Sequence, residues 1–185
     1  MQHNESLIRL RNLVISLAVF TALALYASTY AEPVLRVSVM PDESPPVLRR
    51  KLKPLTDYLE KKVGIKMEFR PMLDGDTLVR ALLGHKLDLV WIDGVYLAKA
   101  EVLGNGKVVA LVQRAGENPD VRDDPADDYR WAVRADMDAK LRQSLVNAFL
   151  SLNRNNGPDR EILDLQRAGR FIPAVPAARP ALPNP

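Results

Sequence analysis

Two polar clusters in this 185-residue chain have types and spacing suited to holding a small ligand: Asp42-Glu43-Ser44, and Asp93-Gly94 with Tyr96 just beyond. Each follows a segment that reads as a strand. In open α/β sheets, ligands sit in the crevice beyond the carboxyl ends of the strands. A helix opening near Gly94 offers free backbone N–H groups that suit an anion. The Tyr96 phenol can donate to an oxyanion. The acids pull the other way. Asp42, Glu43 and Asp93 at one edge repel a doubly charged anion unless cations accompany them, and on their own suit an amine. Structural duties compete for the same residues: Asp93 is placed to cap a helix and Asp42 to organise its own turn. Tyr96 and Trp91 are equally at home in packing.

Other chemistry is excluded or unsupported. Cysteine is absent, and the histidines are His3, near the start, and His85, alone in Gly84-His85-Lys86. Neither a His-based triad nor a zinc site of the usual kind can be assembled from that set. The Asp74/Asp76 pair suits magnesium or acid–base work, yet nothing places a substrate beside it, so no enzyme, metal or cofactor is assigned. Residues 115–128 hold six acids and two prolines, but lack the ligand spacing and central glycine of a calcium loop. They read as a solvated connection. A net charge of +3, with basic residues interspersed among acids, leaves no nucleic-acid footprint.

The elements that must position these residues alternate. With 47% hydrophobic and 26% charged residues, the chain can build a globular core. Val34 to Val39 alternates as a strand. Leu48, Leu52, Leu55, Leu59 and Val63 then recur at helical spacing, with Pro54 expected to kink the helix and Gly64 to end it. Lys66 to Arg70 is a short strand. A helix opened by Asp74-Gly75-Asp76 carries Leu78, Val79, Leu82 and Leu83. Leu87 to Ile92, almost wholly apolar, reads as a strand covered on both faces, and a helix over Val95 to Val102 and a strand over Val108 to Val112 follow. After the acidic connection come a strand at Tyr129 to Arg134, a long helix from Met137 to Leu152 and a short one from Pro158 to Leu165. The tail from Pro173 to Pro185 is Pro- and Ala-rich, which predicts disorder. The fold class is therefore α/β, a mainly parallel sheet flanked by helices. Tyr129 to Arg134 is expected to join the same sheet as Leu87 to Ile92.

The N-terminus carries an address. Arg9 and Arg11, the uncharged run Leu13 to Tyr26, and small residues up to Ala31 have the order of a secretory signal peptide. The expected cut follows Ala31, and the expected location is the periplasm. An uncleaved inner-membrane anchor is the alternative, although the run is shorter than the ~20 residues of a spanning helix.

Three stretches resemble the phosphonate/phosphite-type substrate-binding proteins of ABC transporters. VLRVSVMPDESPPVLRRKLKPLTDYLEKKVGIKMEFRP is similar to that family's first strand, Pro-containing loop and first helix. LVRALLGHKLDLVWIDGVYLAKA is similar to its Asp-hydrophobic-aromatic strand with a tyrosine soon after. YRWAVRADMDAKLRQSLVNAFLSLN looks like the return of the chain to the first lobe. The resemblance implies a single lobe of a periplasmic-binding-protein-like (type II) fold over residues 32–172. It implies ligand contacts from Asp42, Glu43, Ser44, Asp93, Gly94 and Tyr96, a small oxyanion or phosphonate ligand, and an ABC permease as partner. Family members are two-lobed and grip the oxyanion with a Ser/Thr-rich turn in the middle segment. No such run occurs here, and the 115–128 stretch is too short for a second domain. Weak binding follows, or else a different role: an exported module docking onto a membrane sensor, or a homodimer that rebuilds the missing wall.

Overall fold

Alternating short strands and amphipathic helices leave apolar residues on both faces of a sheet, and the chain buries both. The structure, a computed structural model, describes residues 33–116 and 129–175. The expected signal segment 1–31, most of the acidic connection, and residues 176–185 lie outside the described residues. The strands are β1 (Val34–Val39), β2 (Lys66–Phe69), β3 (Leu89–Asp93), β4 (Val108–Ala115), β5 (Tyr129–Arg134) and β6 (Arg170–Pro173). They form one sheet in the order β2-β1-β3-β5-β4-β6. β1 pairs parallel with β2 and β3, whereas β5 runs antiparallel between β3 and β4, and β6 antiparallel to β4. The sheet is thus mixed, with β1 to β4 sharing one direction. As expected, β5 lies beside β3, Trp131 opposite Trp91.

Helices cover both faces. α1 (Pro45–Val63), α4 (Ala139–Leu150) and α5 (Gly157–Leu165) lie on one side, α2 (Gly75–Leu83) and α3 (Gly94–Leu103) on the other. α1 buries Leu48, Leu52, Leu55 and Leu59, each contributing about 1.5–3 kcal/mol by removal from water. The helix runs through Pro54 and stops at Gly64, whose φ of 73° is unstrained only without a Cβ. β1 and β3 feed Val37, Val39 and Leu89 into the α1 side, while Val90 and Ile92 join Leu78, Leu82 and Leu97 on the α2/α3 side. No helix among the described residues is long and apolar enough to cross a membrane.

Two boundaries differ from the sequence reading. β4 continues three residues beyond Val112, through Gln113, Arg114 and Ala115, because β5 and β6 pair with it on either side. The supposed tail starts inside the sheet: Pro173 ends β6, and Ala174 N–H donates to the Leu111 carbonyl at 3.1 Å. β6 is an edge strand, where a proline's missing N–H is tolerated.

Tyr96 finds its place in this packing. A Cβ added to Gly75, at the start of α2, would lie 2.5 Å from the Tyr96 ring, so the ring lies directly over the glycine. Gly75→Ala should cost about 1–3 kcal/mol through overpacking, and adding Tyr96→Leu should recover most of it. Urea titration of the three proteins checks this. A Gly75→Ala protein as stable as the parent would show that the ring swings aside freely.

Candidate functional site

The carboxyl ends of β1 and β3 open onto a cleft of about 230 Å³. Met40 N–H donates to the Trp91 carbonyl at 3.0 Å, which ties the chain leaving β1 to β3 and sets Asp42 and Glu43 at the rim. α1 begins directly afterwards, with Ser44 at its N-cap. Eight residues on, Lys51 Nζ donates to Glu43 Oε1. The floor is aromatic. Trp91 stacks on Tyr129 with ring centres 5.5 Å apart, and the Arg114 guanidinium lies 5.3 Å from the centre of the Tyr129 ring. Tyr129 thus meets both, and it holds Arg114 at the cleft by a cation–π contact. The far wall is the end of α5: Leu165, Gln166 and Arg167.

Only part of the expected site converges here. Asp42 and Glu43 line the cleft; Ser44 is exposed and its carbonyl accepts from Val47 and Leu48 within the first turn of α1. Asp93, Gly94 and Tyr96 belong to the same sheet edge but are not among the residues lining the cleft, and Tyr96 packs on the α2/α3 side. Asp93 does what a cap does: its Oδ1 accepts from Tyr96 N–H at 2.9 Å, satisfying one of the amides that would otherwise face an anion. Trp91, weighed between core and platform, serves both, packing at 5.3 Å against Trp131 while forming the cleft floor.

The electrostatic balance changes accordingly. With Asp93 turned to capping, the lining holds two carboxylates, Asp42 and Glu43, against three cations: Lys51, Arg114 and Arg167. The cations that an oxyanion needs beside those acids are present. Sequence reasoning missed them because they come from three separate elements, α1, the extension of β4 and the end of α5. The one available signal was the alternation of β4, which places Arg114 on the same face as Val112 once the strand continues. Among the described residues, no group of three or more His, Cys, Asp or Glu is arranged to hold a metal.

Comparison with known proteins fits this geometry. Residues 37–123 match the family model described as the periplasmic substrate-binding protein of the phosphonate ABC transporter. That span runs from within β1 through the cleft rim and Trp91, past the end of β4 at Ala115. The chain is related to the phosphonate-type substrate-binding proteins. PhnD1 of Prochlorococcus marinus, solved in complex with methylphosphonate, superposes with a TM-score of 0.66 at 14% identity, covering 78% of this chain and 93% of that one. The binding-protein component of a phosphonate ABC transporter from Pseudomonas aeruginosa gives 0.65 at 9% identity, over 77% and 82%. A Xanthomonas citri protein bound to ATP gives 0.59 at 13%, over 79% and 93%. No curated protein sequence matches. The family so matched is one of periplasmic binding proteins rather than enzymes.

Proposed function

We propose that the protein is a periplasmic solute-binding lobe that receives a small oxyanion of the phosphonate type at the β1/β3 cleft. The observation that carries this reading is the cleft itself: at the carboxyl edge of the parallel strands, floored by Trp91 and Tyr129, with Arg114 and Lys51 beside the two acids. Phosphonate enters the proposal through the matched family and through the methylphosphonate held by the Prochlorococcus relative.

The proposed binding is weak. β4 ends at Ala115 and β5 starts at Tyr129 in the same sheet, so the connection between them is far below the ~50 residues of a domain. A single lobe leaves one face of the ligand in water, whereas ligand pockets commonly enclose ~70–90% of it. Losing two or three charge-assisted hydrogen bonds, at about 1.5–3 kcal/mol each, weakens binding by several powers of ten. Methylphosphonate should bind the monomer in the high-micromolar to millimolar range, and Arg114→Met should weaken it roughly tenfold or more. Titration by calorimetry, with the oligomeric state followed by light scattering, checks both. Sub-micromolar affinity in a monomer would sink the single-lobe argument. The same affinity in a dimer would mean that a second copy supplies the other wall.

A further inference from the structure

Two polar side chains, Gln166 and Arg167, line the far wall of the cleft. Gln166 is only 9% exposed, and its side-chain amide makes no hydrogen bond to another described residue, although it lines the cleft. Its nitrogen and oxygen are not among the side-chain atoms shut off from solvent without a partner, so the amide opens into the cleft and can meet a ligand there. Its neighbour is strained. α5 ends in a Schellman motif: Ala168 N–H donates to the Leu163 carbonyl at 2.9 Å and Arg167 N–H to the Asp164 carbonyl at 3.0 Å. The residue at the turn of that motif takes a left-handed conformation and is usually glycine. Here it is Arg167, with φ at 50°. A side chain there is disfavoured by the clash of its Cβ, and this one lines the cleft. The same motif ends α2 at His85 and α3 at Asn105, with φ at 58° and 48°; what sets Arg167 apart is its place on the cleft wall.

We propose that Gln166 and Arg167 form a ligand-reading wall: Arg167 holds the oxyanion, and Gln166 reads a hydroxyl on the carbon next to it. Both lie beyond residue 123, where the family match ends, so the wall belongs to this chain's own C-terminal helix. The class of ligand is narrowed from any small oxyanion to a hydroxyalkyl one, since the amide offers both a donor and an acceptor to a hydroxyl. This inference rests on the oxyanion reading of the cleft.

The test pairs methylphosphonate with hydroxymethylphosphonate, which differ by one hydroxyl, on the whole protein, with thermal melts of every variant. The parent should prefer the hydroxylated ligand by roughly three- to tenfold, the worth of one net hydrogen bond. Gln166→Leu should erase that preference while leaving methylphosphonate affinity within about twofold. Arg167→Gly should melt no lower than the parent, because glycine suits the left-handed turn, yet weaken both ligands roughly tenfold. Parent binding indifferent to both substitutions would overturn the wall and leave the oxyanion site standing. Absence of any binding to the parent would overturn both.

Discussion

Trp131→Ala is expected to lower unfolding stability by about 3–5 kcal/mol, the cost of truncating a large buried aromatic. Trp131 is fully buried on β5 and sits at the centre of a ring cluster. Its ring lies 5.3 Å from Trp91 and 5.4 Å from Phe149, which in turn meets Phe171 edge-on at 5.2 Å. The cluster joins β3, β5, β6 and α4, so a cavity there loosens four elements together. It also backs the cleft floor, so ligand binding should fall with stability. Trp131→Phe separates size from polarity. The indole Nε1 is buried without a hydrogen-bond partner, and phenylalanine removes that orphan donor, recovering about 1–3 kcal/mol of desolvation penalty against the lost area. Guanidinium titration should place Trp131→Phe much closer to the parent than to Trp131→Ala. Equal losses from the two would mean that the indole N–H has a partner after all.

Asp88→Ala should cost about 3 kcal/mol, enough to lower the melting temperature by roughly 6–12 °C in a chain of this size. Asp88 is buried before β3, and its carboxylate accepts from the Arg36 backbone N–H at 2.9 Å, from Arg36 Nε at 2.8 Å and Nη2 at 2.9 Å, and from Arg134 Nη1 at 3.2 Å. It thereby staples β1 and β5 to the start of the strand between them. Removing it takes the carboxylate that Arg36 Nε and Nη2 both reach, and leaves Arg134, only 14% exposed in its side chain, with the exposed Asp136 alone. By contrast Asp57→Ala, which breaks only the exposed Lys53 pair on α1, should change stability by no more than about 0.5 kcal/mol. The pH dependence has a definite sign. Burial alone would push the Asp88 carboxyl up, but hydrogen bonds from Arg36 and Arg134 outweigh it and hold the carboxyl below the usual carboxylate range. A depressed folded value means stability that is complete above the unfolded carboxylate pKa, near 3.9, and lost as pH falls through the folded one. The parent should therefore lose its advantage over Asp88→Ala as pH drops below about 4, followed by circular dichroism. An advantage that does not shrink at all between pH 4 and pH 2 would contradict the assignment.

What could be read in advance follows the reach of local physics. The α1 face showed in the spacing of Leu48, Leu52, Leu55 and Leu59, and β3 in its unbroken apolar run, because burial on one or both faces leaves a periodic trace. Asp93 and Asp74 announced themselves as caps, and both act as caps. β6 was hidden because its four residues carry no alternation and precede a Pro-rich stretch; only β4 beside it makes it a strand. The candidate site divided for a similar reason. Strand ends located Asp42 and Glu43, but which side of the sheet each loop serves depends on the path of the following helix. That is why Tyr96 packs on the opposite face while Asp93 is taken up by capping α3. Lys51, Arg114, Gln166 and Arg167 come together only through tertiary assembly, more than a hundred residues apart at the extremes.

The adjacency of β4 and β5 has a use for protein engineering. The two strands are hydrogen-bonded neighbours as far as Gln113 and Arg130, so their free ends stand close together at the rim of the cleft. A folded module needs nearby termini to be spliced into a host without tearing it. Residues Gly116 and Tyr129 supply that gap where the floor and Arg114 lie. A reporter inserted there would be joined to the sheet by two short leads beside Arg114, so that the binding proposed above could be read as a change in light output.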